Sequence, residues 1–263
     1  MDKSAHYVIR CVEDAKFDMS IDFVIQPIFD LSHFACIGGE VLVRGTHRRN
    51  LVPPAEFIQY LEANGTIIEM GYYVMEKALT FIAQKRVETQ EAHLYTLNIS
   101  AVQLNDADFA FHALALIERL KLRTAQLVFE ITESPVPLTD IARQNLQTLQ
   151  EDGINIAWDG IGTLEALRER LAFWEPDYIK LDRSCLAGVN QHATAQILAL
   201  IEEHDADVIL EGVENYTQVS SMLKQGVKYG QGYLFSRPLS KESFQREYMQ
   251  HQQGLNRAVN LPC

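Results

Sequence analysis

Cysteine is scarce and scattered: the four in this chain of 263 residues (Cys11, Cys36, Cys185 and Cys263) show no CxxC or CxxH spacing. That disfavours both a disulfide framework and a structural zinc site, and fits reduced thiols in a cytoplasm. The eight histidines carry no HExxH-type spacing, so none is assigned to a metal. Positive charge is also short, with 23 Lys+Arg against 35 Asp+Glu for a net charge of −12 and no long basic cluster. A duplex nucleic-acid partner is therefore not expected, because affinity for phosphate backbones comes largely from Lys and Arg. No uncharged apolar run reaches the roughly 18 residues of a membrane span. The opening MDKSAHYVIRCVEDAKFDMS breaks every apolar stretch with charge and reads as no signal peptide. In a chain expected to be cytoplasmic, the sequons at Asn98 and Asn215 are accidents of composition. There is no Pro/Gly/Ser-rich linker, low-complexity tract or internal repeat.

What is there is an acidic chain with 47% hydrophobic residues, enough to bury a sizeable core. Short apolar runs alternate with stretches whose apolar residues recur near i, i+3 and i+4, the pattern of β/α units and a mostly parallel sheet. The strand candidates are 23–29, 35–44, 94–100, 127–132, 154–159, 178–182, 208–212 and 232–235. Helical stretches such as PAEFIQYLEA, IIEMGYYVMEKALTFIAQKR and DIARQNLQTLQEDG lie between them, with Pro54 in a first turn and Gly153 and Gly226 at ends. Eight strands in a chain of this length suggest a (β/α)₈ barrel of TIM type; an open doubly wound sheet is the alternative that period alone leaves standing. Between Phe29 and Ala35 the connection is too short for a helical crossover, so the first two strands are expected to pair antiparallel. One barrel domain is expected over residues 21–250, with 1–20 as an N-terminal extension and 251–263 as a loose tail.

Active sites of such barrels are built at the C-terminal ends of the strands. The polar residues there are Glu40, Asn98, Glu130, Asp159, Lys180 with Asp182, Glu211, and Gln231. Each interrupts an apolar run, and an ionisable group in a barrel wall is costly unless paired or bound to a metal. Converging carboxylates repel unless cations sit among them. An all-oxygen ligand set suits Mg²⁺, Mn²⁺ or Ca²⁺ better than zinc. Lys180 and Asp182, two apart, point to the same side of a strand; an ammonium there can orient a water or neutralise a phosphate oxygen, and a buried Lys180–Asp182 ion pair is the plainer alternative. Pairs of metals are a recurrent device for phosphodiester hydrolysis.

These residues stand in an order that resembles the EAL domains, bacterial phosphodiesterases that open cyclic di-GMP to pGpG. The resemblance runs through EVLVR (Glu40 to Arg44), LNIS (Leu97 to Ser100), FEITES (Phe129 to Ser134), AWDGIGT (Ala157 to Thr163), DYIKLDRS (Asp177 to Ser184), ILEGVEN (Ile209 to Asn215) and QGYLFSRPL (Gln231 to Leu239). It implies a modified TIM barrel with an antiparallel first strand. It implies Glu40, Asn98, Glu130 and Asp159 as ligands of a first metal, with Asp159 bridging to a second. Asp182 and Glu211 match residues around the second metal and the nucleophilic water, and Lys180 matches the lysine that contacts the water or phosphate. Gln26 and Arg44 match groups that hold a guanine edge and a phosphate, Glu214 and Gln231 line the same mouth, and Glu133 matches the glutamate that anchors the catalytic loop. The cofactor implied is Mg²⁺ or Mn²⁺, with Ca²⁺ binding and inhibiting. The ligand implied is cyclic di-GMP, and a homodimer is in keeping with the family.

The family's DDFGTGYSSL is here Asp159-Gly160-Ile161-Gly162-Thr163-Leu164-Glu165-Ala166-Leu167, so the second Asp is missing and the residues after it look like an early helix start. Val41 replaces the usual Ala of the EAL signature at an apolar wall position, with little consequence expected. Losing one ligand of a two-metal clamp is expected to cost about 10² to 10⁴ in rate, with ground-state binding less affected. The chain is thus expected to hydrolyse cyclic di-GMP with impairment from Gly160; the alternative is an inactive cyclic di-GMP receptor that signals through a protein partner. A pure protein-interaction module is the third reading. His47-Arg48-Arg49 reads as a solvated basic turn, and Cys185 as a packed thiol.

Overall fold

The computed structural model describes residues 2–48, 50–86, 93–186 and 191–249; the expected tail at 251–263, Arg49 and Cys263 lie outside them. Strand β1 (Ile21–Asp30) turns back through residues 31–34 into β2 (Ala35–His47), and the two pair antiparallel with Gln26 opposite Glu40. A short β3 (Asn50–Val52) folds back on the end of β2. From β2 onward the pairing is parallel: β4 (Leu94–Ile99), β5 (Leu127–Ile131), β6 (Asn155–Ile161), β7 (Tyr178–Leu181), β8 (Asp207–Leu210) and β9 (Tyr229–Gly230). Strand β9 pairs antiparallel with β1, so the sheet closes on itself. The barrel with an antiparallel first strand stands as the sequence pattern implied.

Helices fill each crossover where the 3.6-residue period lies, among them Ile67–Arg86, Phe109–Arg119, Asp140–Glu151 and Gln191–Glu203. Their apolar faces and the strands form one large core that includes Trp158, Phe129 and Leu146. The helix Leu164–Phe173 starts where expected, with the Thr163 hydroxyl accepting from the Ala166 N–H as its N-cap. None of the helices of the described residues is long and apolar enough to cross a membrane.

One element differs from the expectation. The last strand is Tyr229–Gly230 rather than residues 232–235, which form turns. The reason is steric and local. A β-carbon on Gly232 would lie 2.2 Å from the backbone N and O of Val213, so the chain crosses the end of β8 in close contact. The N–H groups of Phe235 and Ser236 are then spent on the Gly232 carbonyl. Within the N-terminal extension, Lys3–Glu13 is a helix that buries Ala5, Val8, Ile9 and Val12 against Val52, Phe57, Leu61 and Met70, a second and smaller core.

Candidate functional site

Closure of the barrel brings the polar strand ends to one mouth. Glu40 comes from β2, Asn98 from β4, Glu130 from β5, Asp159 from β6 and Lys180 from β7, while Glu211 and Gln231 directly follow β8 and β9. Parallel register puts Asn98 beside Glu130. Each faces inward because its strand neighbours, such as Val41, Ile131 and Trp158, are committed to the core outside.

Lys180 is the hub. Its ammonium is fully buried and lies 2.9 Å from Glu130 Oε2, 3.0 Å from Glu40 Oε2, 2.9 Å from Glu211 Oε1 and 3.6 Å from Asp159 Oδ1. Two amides complete the frame. Asn98 Nδ2 donates to Glu40 Oε1 at 2.7 Å, and Gln231 Nε2 donates to Glu40 Oε2 at 2.6 Å and to Glu211 Oε1 at 3.1 Å. Lys180 does not pair with Asp182: β7 ends at Leu181, and Asp182 Oδ1 instead accepts the Ser184 N–H at 2.8 Å. The plainer alternative of a buried Lys180–Asp182 ion pair is therefore not formed.

Burial opposes the Lys180 charge, but Glu130, Glu40, Asp159 and Glu211 outweigh it and hold its pKa well above the usual lysine value. The carboxylates divide. Burial and then the neighbouring Glu40 push Glu130 well up, and burial also raises Asp159 against the pull of Lys180. Glu40 is buried too, yet Lys180, Asn98 and Gln231 hold it below the ordinary range. Burial, with Asp159 and Glu40 adding to it, lifts Glu211 to about 7. Environments that drive like groups apart in this way are typical of sites that move protons.

The donor chemistry fits a hard divalent cation. All the candidate ligands offer oxygen, and the buried Glu130 Oε1 and Asp159 Oδ1 have no hydrogen-bond partner. Among the described residues, however, no group of three or more His, Cys, Asp or Glu side chains stands ready to hold a metal ion. The Lys180 ammonium stands among them instead.

Other residues singled out from the sequence lie around this cluster without joining it. Gln26 is half-buried beside Glu40. Arg44 is half-buried and donates to its neighbour's carbonyl, Val43 O, at 2.8 Å. Glu214 is exposed, and its N–H goes to Gln218 Oε1. Glu133 is exposed and sits beside Gly160, where an added β-carbon would meet Glu133 Cγ and Cδ at 3.7 Å. Gly160 has φ +71° and lies in a break of the β6–β7 register between Trp158 and Ile161, a bulge at the lip of the site.

A cleft of about 460 Å³ opens from Glu40, Asn98, Asp159 and Glu133 and runs back between apolar walls at Val43, Ile58, Met70 and Val74. The sequence reading missed these walls. Their signal was present in the surplus of apolar residues along IIEMGYYVMEK, which face both the barrel and the cleft.

Comparison with known proteins agrees with this geometry. The chain is 31% identical over 232 residues to cyclic di-GMP phosphodiesterase PdeL of Escherichia coli K12, a match that covers 86% of this chain and 64% of PdeL. It spans about a third of other relatives of that organism, such as PdeR, at 33%. Among solved structures, an EAL domain protein from Listeria monocytogenes superposes with a TM-score of 0.78 at 25% identity, over 94% of this chain and 98% of that one. The PaMucR phosphodiesterase in complex with c-di-GMP shares the fold with a TM-score of 0.78 at 22% identity, over 90% and 99% of the two chains. The EAL domain family model matches residues 14–238, and with its strand-end residues in the family's order the chain belongs to the EAL domain family.

Proposed function

We propose that this chain hydrolyses cyclic di-GMP to pGpG with the help of a divalent cation, at a rate held down by Gly160. The observation that carries the reading is the convergence of Glu40, Glu130, Asp159 and Glu211 on Lys180 at the C-terminal mouth. Its support from relatives is that PdeL is named a cyclic di-GMP phosphodiesterase. Glu40, Asn98, Glu130 and Asp159 are the residues that would hold a first cation, Mg²⁺ or Mn²⁺, and the larger Ca²⁺ would bind in its place and inhibit. When bound, such an ion polarises a phosphoryl oxygen and lowers the pKa of water.

The chain's own groups do the rest. Glu211, at about 7, accepts a proton from the attacking water near neutral pH. Lys180 supplies positive charge to the water or to a phosphate oxygen, and Asp182, just past the end of β7, would serve a second cation and the nucleophilic water. Arg44 takes a phosphate and Gln26 a guanine edge, with Glu214 and Gln231 along the rim and Glu133 holding the Gly160 loop. The site would work in the cytoplasm, where cyclic di-GMP is found, either alone or as a homodimer.

A second reading is favoured by one observation, the bulge at Gly160 followed directly by the helix at Leu164. In it the chain binds cyclic di-GMP without cutting it and signals through a protein partner. Incubation with cyclic di-GMP and Mn²⁺, with products resolved by chromatography, separates the two. Formation of pGpG supports the phosphodiesterase; intact nucleotide retained by the protein supports the receptor.

A further inference from the structure

We infer that Lys180 is the resident cation of the carboxylate cluster in the metal-free chain, and that its ammonium and a divalent ion compete for one place. Loading the site then requires Lys180 to give up Glu40 and Glu130. The inference rests on the proposed reading only in taking the competing ion to be divalent.

An ammonium has three protons, and three carboxylate oxygens lie within 3.0 Å of Lys180 Nζ, on Glu40, Glu130 and Glu211. Its bonding capacity is therefore used up at one point in the middle of the cluster. The carboxylates are aimed at that point rather than at a separate one. Asn98 and Gln231 brace Glu40 and Glu211 through neutral amide bonds, so the frame does not depend on the lysine alone and can persist when the central charge is exchanged.

The exchange is favoured by charge. One ammonium faces four carboxylates, and Glu130 Oε1 and Asp159 Oδ1 remain without hydrogen-bond partners; a doubly charged ion at the same place compensates more of the excess and uses those oxygens. A route out exists as well. Asp159 and Glu211 are the partners with exposed side-chain surface, 21% and 23% against 5% and 0% for Glu40 and Glu130. The flexible lysine stem can withdraw towards them, which carries its charge from the floor of the mouth to its opening. In this view the lysine holds the carboxylates together and, once displaced, stands where a phosphate would arrive.

The test uses the full chain, Lys180→Met and Lys180→Gln, stripped with EDTA and titrated with MnCl₂, read by thermal melting and by calorimetry. The expected result is a cooperative melt of the unaltered chain in EDTA and a fall of roughly 10 °C in both variants, since each leaves buried carboxylates uncompensated. Mn²⁺ should then bind the variants at least about tenfold more tightly than the unaltered chain, because no ammonium has to be displaced, and should close the gap in Tm. Lys180→Gln retains amide donors and keeps the test open if Lys180→Met does not fold. Equal or weaker Mn²⁺ binding by the variants, no Mn²⁺ binding by any of the chains, or equal melting in EDTA would overturn the inference. Hydrolysis is not read in this experiment, so absence of pGpG formation would count against the phosphodiesterase alone.

Discussion

The floor and the lip of the barrel mouth are built on different terms. On the floor, Glu40, Glu130 and Lys180 are buried, their positions fixed by the register of parallel strands and by short bonds to Asn98 and Gln231. At the lip, Asp159 to Leu164 passes through a bulge with Gly160 at positive φ, Glu133 is exposed, and Asp182 turns away to bond the next residues of its own chain. Removing one partner from the floor leaves charges buried without compensation, whereas a change at the lip is met by solvent. Under the proposed function the floor would carry the capacity to bind and react, and the lip would set how fast.

The sharpest way to break that contrast is at the floor. Glu40→Ala removes a carboxylate bonded to Lys180, Asn98 and Gln231 together, and we expect a fall in hydrolysis of at least about a thousandfold, measured as the initial rate of pGpG formation. A smaller loss would mean that the floor is less essential than its geometry indicates.

Next in size is a pH effect. Glu211 titrates at about 7 in the folded chain against an ordinary 4.5, so the folded state holds the extra proton between those values. Its contribution to stability is complete below about pH 4.5 and is lost as pH rises through 7, by about 3 kcal/mol for the group alone. Melting of the metal-free chain from pH 4.5 to 8 should show this decline, and Glu211→Gln should flatten it. An unchanged slope in the variant would assign the decline to other groups.

A comparable effect is expected from the brace. Gln231→Ala frees Glu40 and Glu211 from their shared amide, with an expected loss of about 1–3 kcal/mol in stability by denaturant unfolding. The smallest effect belongs to the lip. Gly160→Asp meets only ordinary contact with Glu133 and costs about 1 kcal/mol of stability for a side chain at φ +71°. It should nonetheless raise hydrolysis at least about tenfold by restoring a ligand. No gain in rate would place the limit in the bulge and the helix start at Leu164 rather than in the missing carboxylate.

The same division explains what the sequence made legible. Polar residues that interrupt apolar strands stand out in a linear reading, and Glu40, Asn98, Glu130, Asp159, Lys180, Glu211 and Gln231 do come together. The antiparallel first pair was legible from a connection too short for a helix. Two things were not. The partners of Lys180 depend on closure across the barrel, which sets β7 facing β2, and the plainer alternative of a Lys180–Asp182 pair does not form because β7 ends at Leu181. The final strand was misplaced because GYLF has the composition of a strand while Gly232 is pressed against the Val213 backbone, a contact made by β8 and invisible along the chain.

The most direct test of the account is the rate at which the purified chain forms pGpG from cyclic di-GMP in Mn²⁺, measured beside Glu40→Ala and Gly160→Asp. The account predicts slow but measurable turnover that disappears with Glu40→Ala and rises with Gly160→Asp. Absence of product from both the unaltered chain and Gly160→Asp, with cyclic di-GMP still bound, would contradict it and leave the floor a binding site only.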